Sequence, residues 1–206
     1  MTILSLFDYT GNWSRPYHEA GYDVIQIDIK HGDDIYQLTE SKVKDMGPIR
    51  GVLNAFPCDH FAVSGSGRFK DKDESGTTDD AIRLAMYSLQ VIKWAKPDWY
   101  ACENPVGRVE SLMPAFRRMP NKFIFDPYEF GGWLNPPGDH YKKRTCLWGR
   151  FNRPIKKPTY FVTYSNNKGQ KGSYMWALLG GKSKNTKEIR STTPMGFAYA
   201  FKEANP

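Results

Sequence analysis

The stretch LSLFDYTGNWSRPYHEAGYDVIQIDI, residues 4–29, decides the fold. Leu4 to Phe7 is a short apolar run ending at Gly11, which reads as a buried strand followed by a tight turn. Ser14 is placed to cap a short helix carrying His18 and Ala20, and Gly21 closes it. Val24-Ile25-Gln26-Ile27-Asp28-Ile29 reads as a second strand, broken by Gly32. Strand, turn, helix and strand in this order open a mainly parallel sheet with helices on both faces.

Outward from that unit the alternation continues. Gly51-Val52-Leu53-Asn54 reads as a buried strand. Residues 56–76 show no periodicity, and Ser64-Gly65-Ser66-Gly67 reads as flexible, so this is a loop of about 20 residues whose length points to function or disorder. Thr78 then caps the strongest helix, with Ile82, Ala85, Met86, Leu89 and Ile92 on a core-facing stripe and Pro97 just beyond its end. Trp99 to Glu103, Phe123 to Phe125 and Arg144 to Trp148 read as further strands. Residues 150–192 are rich in Lys, Pro, Gly and Asn, with one aromatic strand expected at Tyr160 to Tyr164, and read as an appendage. The expectation is one α/β catalytic domain over 1–206 that carries a short basic insert at 150–189.

Composition excludes several classes. With 206 residues, 40% hydrophobic and 25% charged, the chain suits one globular domain rather than a disordered tail or a coiled coil. No stretch approaches the roughly 18 apolar residues of a membrane helix. The N-terminus lacks a basic region and a small-residue cleavage site, which predicts a cytoplasmic chain whose first segment is a strand. Three cysteines, Cys58, Cys102 and Cys146, have neither zinc nor disulfide spacing, and no metal site is expected. Charge is uneven. Residues 1–140 hold 15 Lys/Arg against 20 Asp/Glu, and residues 141–206 hold 14 against 2. So basic a C-terminal part points to a phosphate-bearing partner, with a merely solvated surface as the plainer alternative.

In parallel sheets ligands bind at the carboxyl ends of strands. Those ends carry the Phe7-Asp8-Tyr9-Thr10-Gly11-Asn12-Trp13 turn, Asp28, the Phe56-Pro57-Cys58 loop and Glu103. A carboxylate about 20 residues after the turn suits a ribose. The turn is not G-x-G-x-x-G, which disfavours a dinucleotide pyrophosphate and a nicotinamide oxidoreductase, and accommodates S-adenosylmethionine more easily. Cys102 and Cys146 sit within apolar strands. Glu103, before Asn104 and Pro105, is either a helix cap or an acid–base group.

Together the Phe7 to Gly11 turn, Pro57-Cys58 and Glu103-Asn104-Pro105, in that order and spacing over residues 1–150, resemble the carbon-5 cytosine methyltransferase family. Lys143-Arg144-Thr145-Cys146-Leu147-Trp148-Gly149 is similar to the family's basic strand. Arg190 to Ala198 is similar to the closing segment of compact, phage-type members. The resemblance implies a Rossmann-like S-adenosylmethionine-dependent fold. It implies Cys58 as nucleophile toward carbon 6, Glu103 at N3, and Arg144 at the base O2, with Asn104 supporting the Cys58 loop. Pro57, Ser64 and Pro105 would line the substrate. Asp28 and Ile29 would meet the cofactor ribose and its surroundings, Asp34 and Ile35 its adenine end, and Pro57, Thr193 and Pro194 would complete that site.

The departures also carry information. Asn12-Trp13 stands where a second Gly is usual, Asp59 follows Cys58 in place of Gln, and Pro105 replaces Val. The interval that normally holds a target-recognition domain is only about 40 residues long here. Extruding a base from a duplex costs a few kcal/mol, which so short a segment is poorly equipped to supply. The expected substrates are therefore free cytosine nucleotides or unpaired cytosines in a single strand, met by a monomer. Lys156, Lys157, Lys168, Lys171, Lys182, Lys184 and Lys187 would hold phosphates. Two other readings remain: a duplex DNA methyltransferase with little sequence specificity, and a catalytically silent nucleic-acid-binding relative.

Overall fold

The structure is a computed structural model that describes residues 1–172 and 184–206, with side chains described outside 173–187. Lys182 lies outside the described residues, as do the side chains of Lys184 and Lys187. The chain forms two compact units, one of residues 1–124 with 145–151 and the other of residues 125–144 with 152–206.

The first unit is built on a six-stranded sheet of order β2-β1-β3-β4-β6-β5. Its strands are β1 (Thr2–Leu6), β2 (Asp23–Ile27), β3 (Ile49–Asn54), β4 (Trp99–Pro105), β5 (Asn121–Phe125) and β6 (Thr145–Arg150). β1 pairs in parallel with β2 and β3, and β3 in parallel with β4, whereas β6 runs antiparallel to β4. This mixed, mainly parallel α/β arrangement is Rossmann-like. Ile3, Leu4 and Leu6 of β1 and Val52 and Leu53 of β3 are fully buried, as expected of strands covered on both faces.

Helices α1 (Arg15–Glu19), α2 (Glu40–Asp45), α3 (Phe69–Glu74), α4 (Thr77–Ala95) and α5 (Val109–Leu112) belong to this unit. α4 buries Thr78, Ala85, Ser88, Val91 and Ile92. Met86, expected on that stripe, is 41% exposed, because it lies about 100° around the helix from Ala85. Gly76, at φ +73°, is the residue before α4, not Thr78. The Thr78 hydroxyl donates to Asp73 at 2.6 Å instead. The region expected as a 56–76 loop is largely helical, with a 3₁₀ segment at Val63–Arg68 running into α3. Its lack of an apolar stripe reflects short helices that pack by a few contacts only.

The second unit holds the hairpin strands β7 (Tyr164–Ser165) and β8 (Lys171–Gly172) and helices α6 (Lys184–Ser191) and α7 (Met195–Ala204). The aromatic strand expected at 160–164 is reduced to Tyr164, and residues 151–163 are irregular. α7 buries Phe197, Ala198, Ala200 and Phe201. Phe125 stacks on Phe197 with ring centroids 4.1 Å apart, and Phe130 meets Phe197 edge-on. Gly196 is required here, since a Cβ would lie 2.4 Å from the Phe130 carbonyl oxygen. Among the described residues no helix is long and apolar enough to cross a membrane.

Candidate active site

The strand order reverses between β1 and β3: from β1 the chain goes outward to β2, then returns to the other side of β1. In open α/β sheets the crevice outside the carboxyl ends at such a switch point is where ligands bind. Two segments define its walls in the first unit.

The first wall is the turn after β1. Phe7 adopts φ +61° and Gly11 φ +67°, which folds the chain back on itself directly beyond the strand. Asp8 organises this turn. Its buried carboxylate accepts from Ser5 Oγ at 3.1 Å, Ser14 N at 3.0 Å and Ser14 Oγ at 2.8 Å. Burial pushes the Asp8 carboxyl above its ordinary value, against the lowering effect of these hydrogen bonds. Ser14 thus serves Asp8 and makes no side-chain cap to α1. Gln26 Nε2 donates to the Asp8 carbonyl at 2.8 Å, tying the turn to β2.

Asp28, just past β2, is buried and caps a 3₁₀ turn through Lys30 N at 2.9 Å, so the strand ends one residue before it. Ile29, beside it, is 69% exposed. The turns after β1 and β2 meet, with the Lys30 ammonium 4.3 Å from the centre of the Tyr9 ring and the His31 ring 5.1 Å from it. Thr10 is exposed and Asn12 accepts from Arg15 at 2.8 Å. Asp34 caps a second 3₁₀ turn through Tyr36 N at 3.0 Å. Trp13 and Ile35 are core residues, at 0% and 3% exposed.

The second wall carries Cys58. Cys58 is half-buried, four residues past the end of β3, with exposed Pro57 and Asp59 on either side. Its own carbonyl accepts from Phe61 N at 2.9 Å and Ala62 N at 3.0 Å, which closes one tight turn. That turn is fastened to the end of β4 on both sides. Before Cys58, Asn104 Nδ2 donates to the Phe56 carbonyl at 2.9 Å. After it, Ala62 bridges Gly107, Arg108 N donates to the Phe61 carbonyl at 2.9 Å, and Val63 N to the Val106 carbonyl at 3.4 Å. Glu103, 9% exposed, and fully buried Asn104 lie between these fastenings, on a strand whose Cys102 is opposite Asn54. Pro105 is the last residue of β4, and Ser64 is exposed on the 3₁₀ segment.

Sequence reasoning passed over Arg108. Its Nε donates to the His60 carbonyl at 2.8 Å, its two terminal nitrogens grip the Asp73 carboxylate at 2.7 and 2.8 Å, and its guanidinium lies 3.7 Å over the Phe69 ring. Hydrogen bonding to Arg108 holds the Asp73 carboxyl at about 2. Lys72 Nζ donates to the Asp59 carbonyl, so an ammonium stands one residue from Cys58. Lys72 and Asp73 lie in the stretch that looked structureless. The one available signal was Gly107, an isolated glycine at a strand end, which marks close backbone approach.

Cys102 and Cys146 are buried, and burial pushes both thiols up to about 12, which makes them inert partners of the core. Cys58 is the cysteine that the fold exposes at the crevice. Arg144, Thr193 and Pro194 belong to the second unit. Arg144 is exposed immediately before β6, Thr193 is buried, and Pro194 precedes α7 as its cap.

No family model and no curated protein matches the sequence. Similar solved structures include a candidate DNA modification methyltransferase encoded within an E. coli prophage, at 16% identity and a TM-score of 0.47 over 73% of this chain and 46% of that one. The chain thus spans about half the length of that structure.

Proposed function

We propose that this chain is an S-adenosylmethionine-dependent methyltransferase that modifies carbon 5 of cytosine through a covalent adduct with Cys58. The observation that carries this reading is the double fastening of the Pro57-Cys58 turn, to Asn104 on one side and to Val106, Gly107 and Arg108 on the other, which holds it beside the strand end that carries Glu103. A nucleophile needs a fixed approach, and an acid must be held beside it, since misplacement by about 1 Å can cost roughly 100-fold in rate.

The cofactor fits the donor set at the first wall. Asp28 offers a buried carboxylate for ribose hydroxyls, Ile29 an exposed apolar side chain for an adenine face, and Asp34 a carboxylate farther along; Phe7 to Asn12 present backbone at close range. When bound, S-adenosylmethionine supplies an electrophilic methyl group. The chain's own residues do the rest. Cys58 Sγ, as thiolate, bonds to carbon 6, and Glu103 gives a proton to N3, so the ring's electron density collects at carbon 5. After methylation a solvent water takes the carbon-5 proton, the electron pair left behind re-forms the carbon 5–carbon 6 double bond and expels Cys58 as thiolate, and the N3 proton returns to Glu103.

The preferred substrates are free cytosine nucleotides or unpaired cytosines. The 150–189 insert offers basic residues but little surface with which to repay base extrusion. The test is mass spectrometry of methyl transfer to cytidine and deoxycytidine nucleotides, single-stranded DNA and duplex DNA, with Cys58→Ala as control. Product on nucleotides or single strands, abolished in Cys58→Ala, is expected. Product on duplex alone would overturn the substrate class, and methylation by Cys58→Ala would overturn the covalent route.

A further inference from the structure

The opposite rim of the same sheet carries a second feature that the methyl-transfer reading does not use. Between the end of α4, the start of β4 and the end of β6 lies an open cleft of about 430 Å³ lined by Lys93, Lys96, Arg118 and Arg150, with no acidic residue in its walls. Lys93, Lys96 and Arg118 have no ion pair among the described residues, and Arg150 donates to the Pro97 carbonyl. Arg50, Arg108, Lys122 and Lys156, elsewhere on the chain, each pair with a carboxylate, whereas here four cations from three separate elements share one cleft without one in its walls. Of the nearby acids, Asp98 is engaged by Arg50, and Glu40 is engaged first by Lys44, with Lys96 and Lys93 acting on it only at longer range.

The α4 C-terminus accounts for Lys93 and Lys96, since cations suit the negative end of a helix. It does not account for Arg118 or Arg150, which arrive from other elements. Four like charges around one cleft repel one another unless an anion joins them. The remaining wall is apolar, from Leu89, Met119 and half-buried Tyr100, whose hydroxyl has no hydrogen-bond partner among the described residues. Phosphate-binding cations beside an aromatic, apolar wall match a nucleotide, and the space is of the size that small ligands occupy.

We propose that this cleft binds a nucleotide, its phosphates on Lys93, Lys96, Arg118 and Arg150 and its base against Tyr100. Along β4, Tyr100 is three residues and Pro97 six residues before Glu103, so the cleft's near wall lies about 10 Å and its far edge about 20 Å from Glu103, at the opposite end of the strand. It is a second site, and the proposal stands whether or not methyl transfer is the activity. The same chemistry is presented by a free nucleotide and by one unit of a single strand.

The test is equilibrium binding of CTP, inorganic tripolyphosphate and a ten-residue deoxycytidine oligonucleotide to the full chain. Wild type, Lys93→Glu/Arg118→Glu and the exposed-charge control Lys70→Glu would be compared, with circular dichroism melts showing that each variant is folded. In parallel, a 4-thiouridine triphosphate photo-crosslink would be mapped by peptide mass spectrometry. The expected result is at least tenfold weaker CTP binding in the double variant at 100 mM salt, little change in Lys70→Glu, and a crosslink within residues 89–120. Oligonucleotide binding more than tenfold tighter than CTP identifies the polymer as the ligand, and comparable binding identifies the free nucleotide. Unchanged CTP affinity in the double variant, or crosslinks confined to residues 56–64, would overturn the site. Tripolyphosphate binding as tightly as CTP would overturn the role of Tyr100.

Discussion

Gly107→Ala tests the fastening of the Cys58 turn most directly. A Cβ at Gly107 would lie 1.9 Å from the Phe61 carbonyl oxygen, 2.8 Å from its carbon and 3.0 Å from Ala62 Cα. These are backbone atoms, so no change of rotamer relieves the clash. Reaching even 3.0 Å, below which such contacts essentially never occur, requires the two segments to part by about 1 Å. That movement stretches the bond from Arg108 N to the Phe61 carbonyl and the weaker one from Val63 N to the Val106 carbonyl, 2.9 and 3.4 Å long. Overpacking costs about 1–3 kcal/mol and a stretched hydrogen bond about 1 kcal/mol, so a loss near 2–3 kcal/mol is expected by urea unfolding. The same displacement, acting on the segment that begins at Cys58, should lower methyl transfer by roughly 100-fold. Gly67→Ala is the matched control, since nothing lies within 4 Å of a Cβ added there. If Gly107→Ala kept its stability and a rate within twofold of Gly67→Ala, the fastening would not position Cys58.

Three further outcomes follow from the same geometry. Asn104→Ala removes the bond to the Phe56 carbonyl, at about 1–3 kcal/mol, but also removes the buried Asn104 Oδ1, which has no partner among the described residues. The two effects oppose, so urea unfolding should show a net loss of only about 1 kcal/mol, while iodoacetamide modifies Cys58 at a clearly different rate as the turn loosens. Lys72→Met removes the ammonium held at the Asp59 carbonyl and should slow Cys58 alkylation at neutral pH severalfold, with recovery in Lys72→Arg; equal rates in all three would exclude an electrostatic role. Asp8 has a raised folded pKa, so the folded state keeps a proton that the unfolded chain has released. Its contribution to stability therefore falls as pH rises above about 4, and the stability-versus-pH curve of Asp8→Asn should lack that decline.

Much of the fold was legible because its signals are local. The runs at 3–6, interrupted only by Ser5, and at 51–53 are apolar and buried on consecutive residues, as suits a strand covered on both faces, and the stripe from Ile82 to Ile92 on α4 spans about three turns. Those strands, read in order, bring Phe7 to Gly11, Asp28, Cys58 and Glu103 to one rim, because a parallel sheet places every carboxyl end on the same side. Placing chemistry on a rim needs only strand direction, and direction was available from the alternation of elements.

What escaped the sequence rests on single contacts between residues far apart. Ser14 and Thr78 both have the residue type of a helix cap, yet each hydroxyl serves a carboxylate, Asp8 and Asp73 respectively. A hydroxyl before a helix can satisfy the helix or a nearer buried acid, and the buried acid has more to lose by going unsatisfied. Arg108 and Asp73 are 35 residues apart and carry no periodicity, so neither a helical stripe nor a turn pattern points to their pairing. The 56–76 stretch read as a loop without periodicity for the same reason. Its order comes from Arg108, Asn104 and Gly107 on another strand end, and a segment held by a neighbour's polar groups needs no apolar stripe of its own. A cysteine held this way can be both half-exposed and fixed, which a segment anchored by burying its own side chains could not easily achieve.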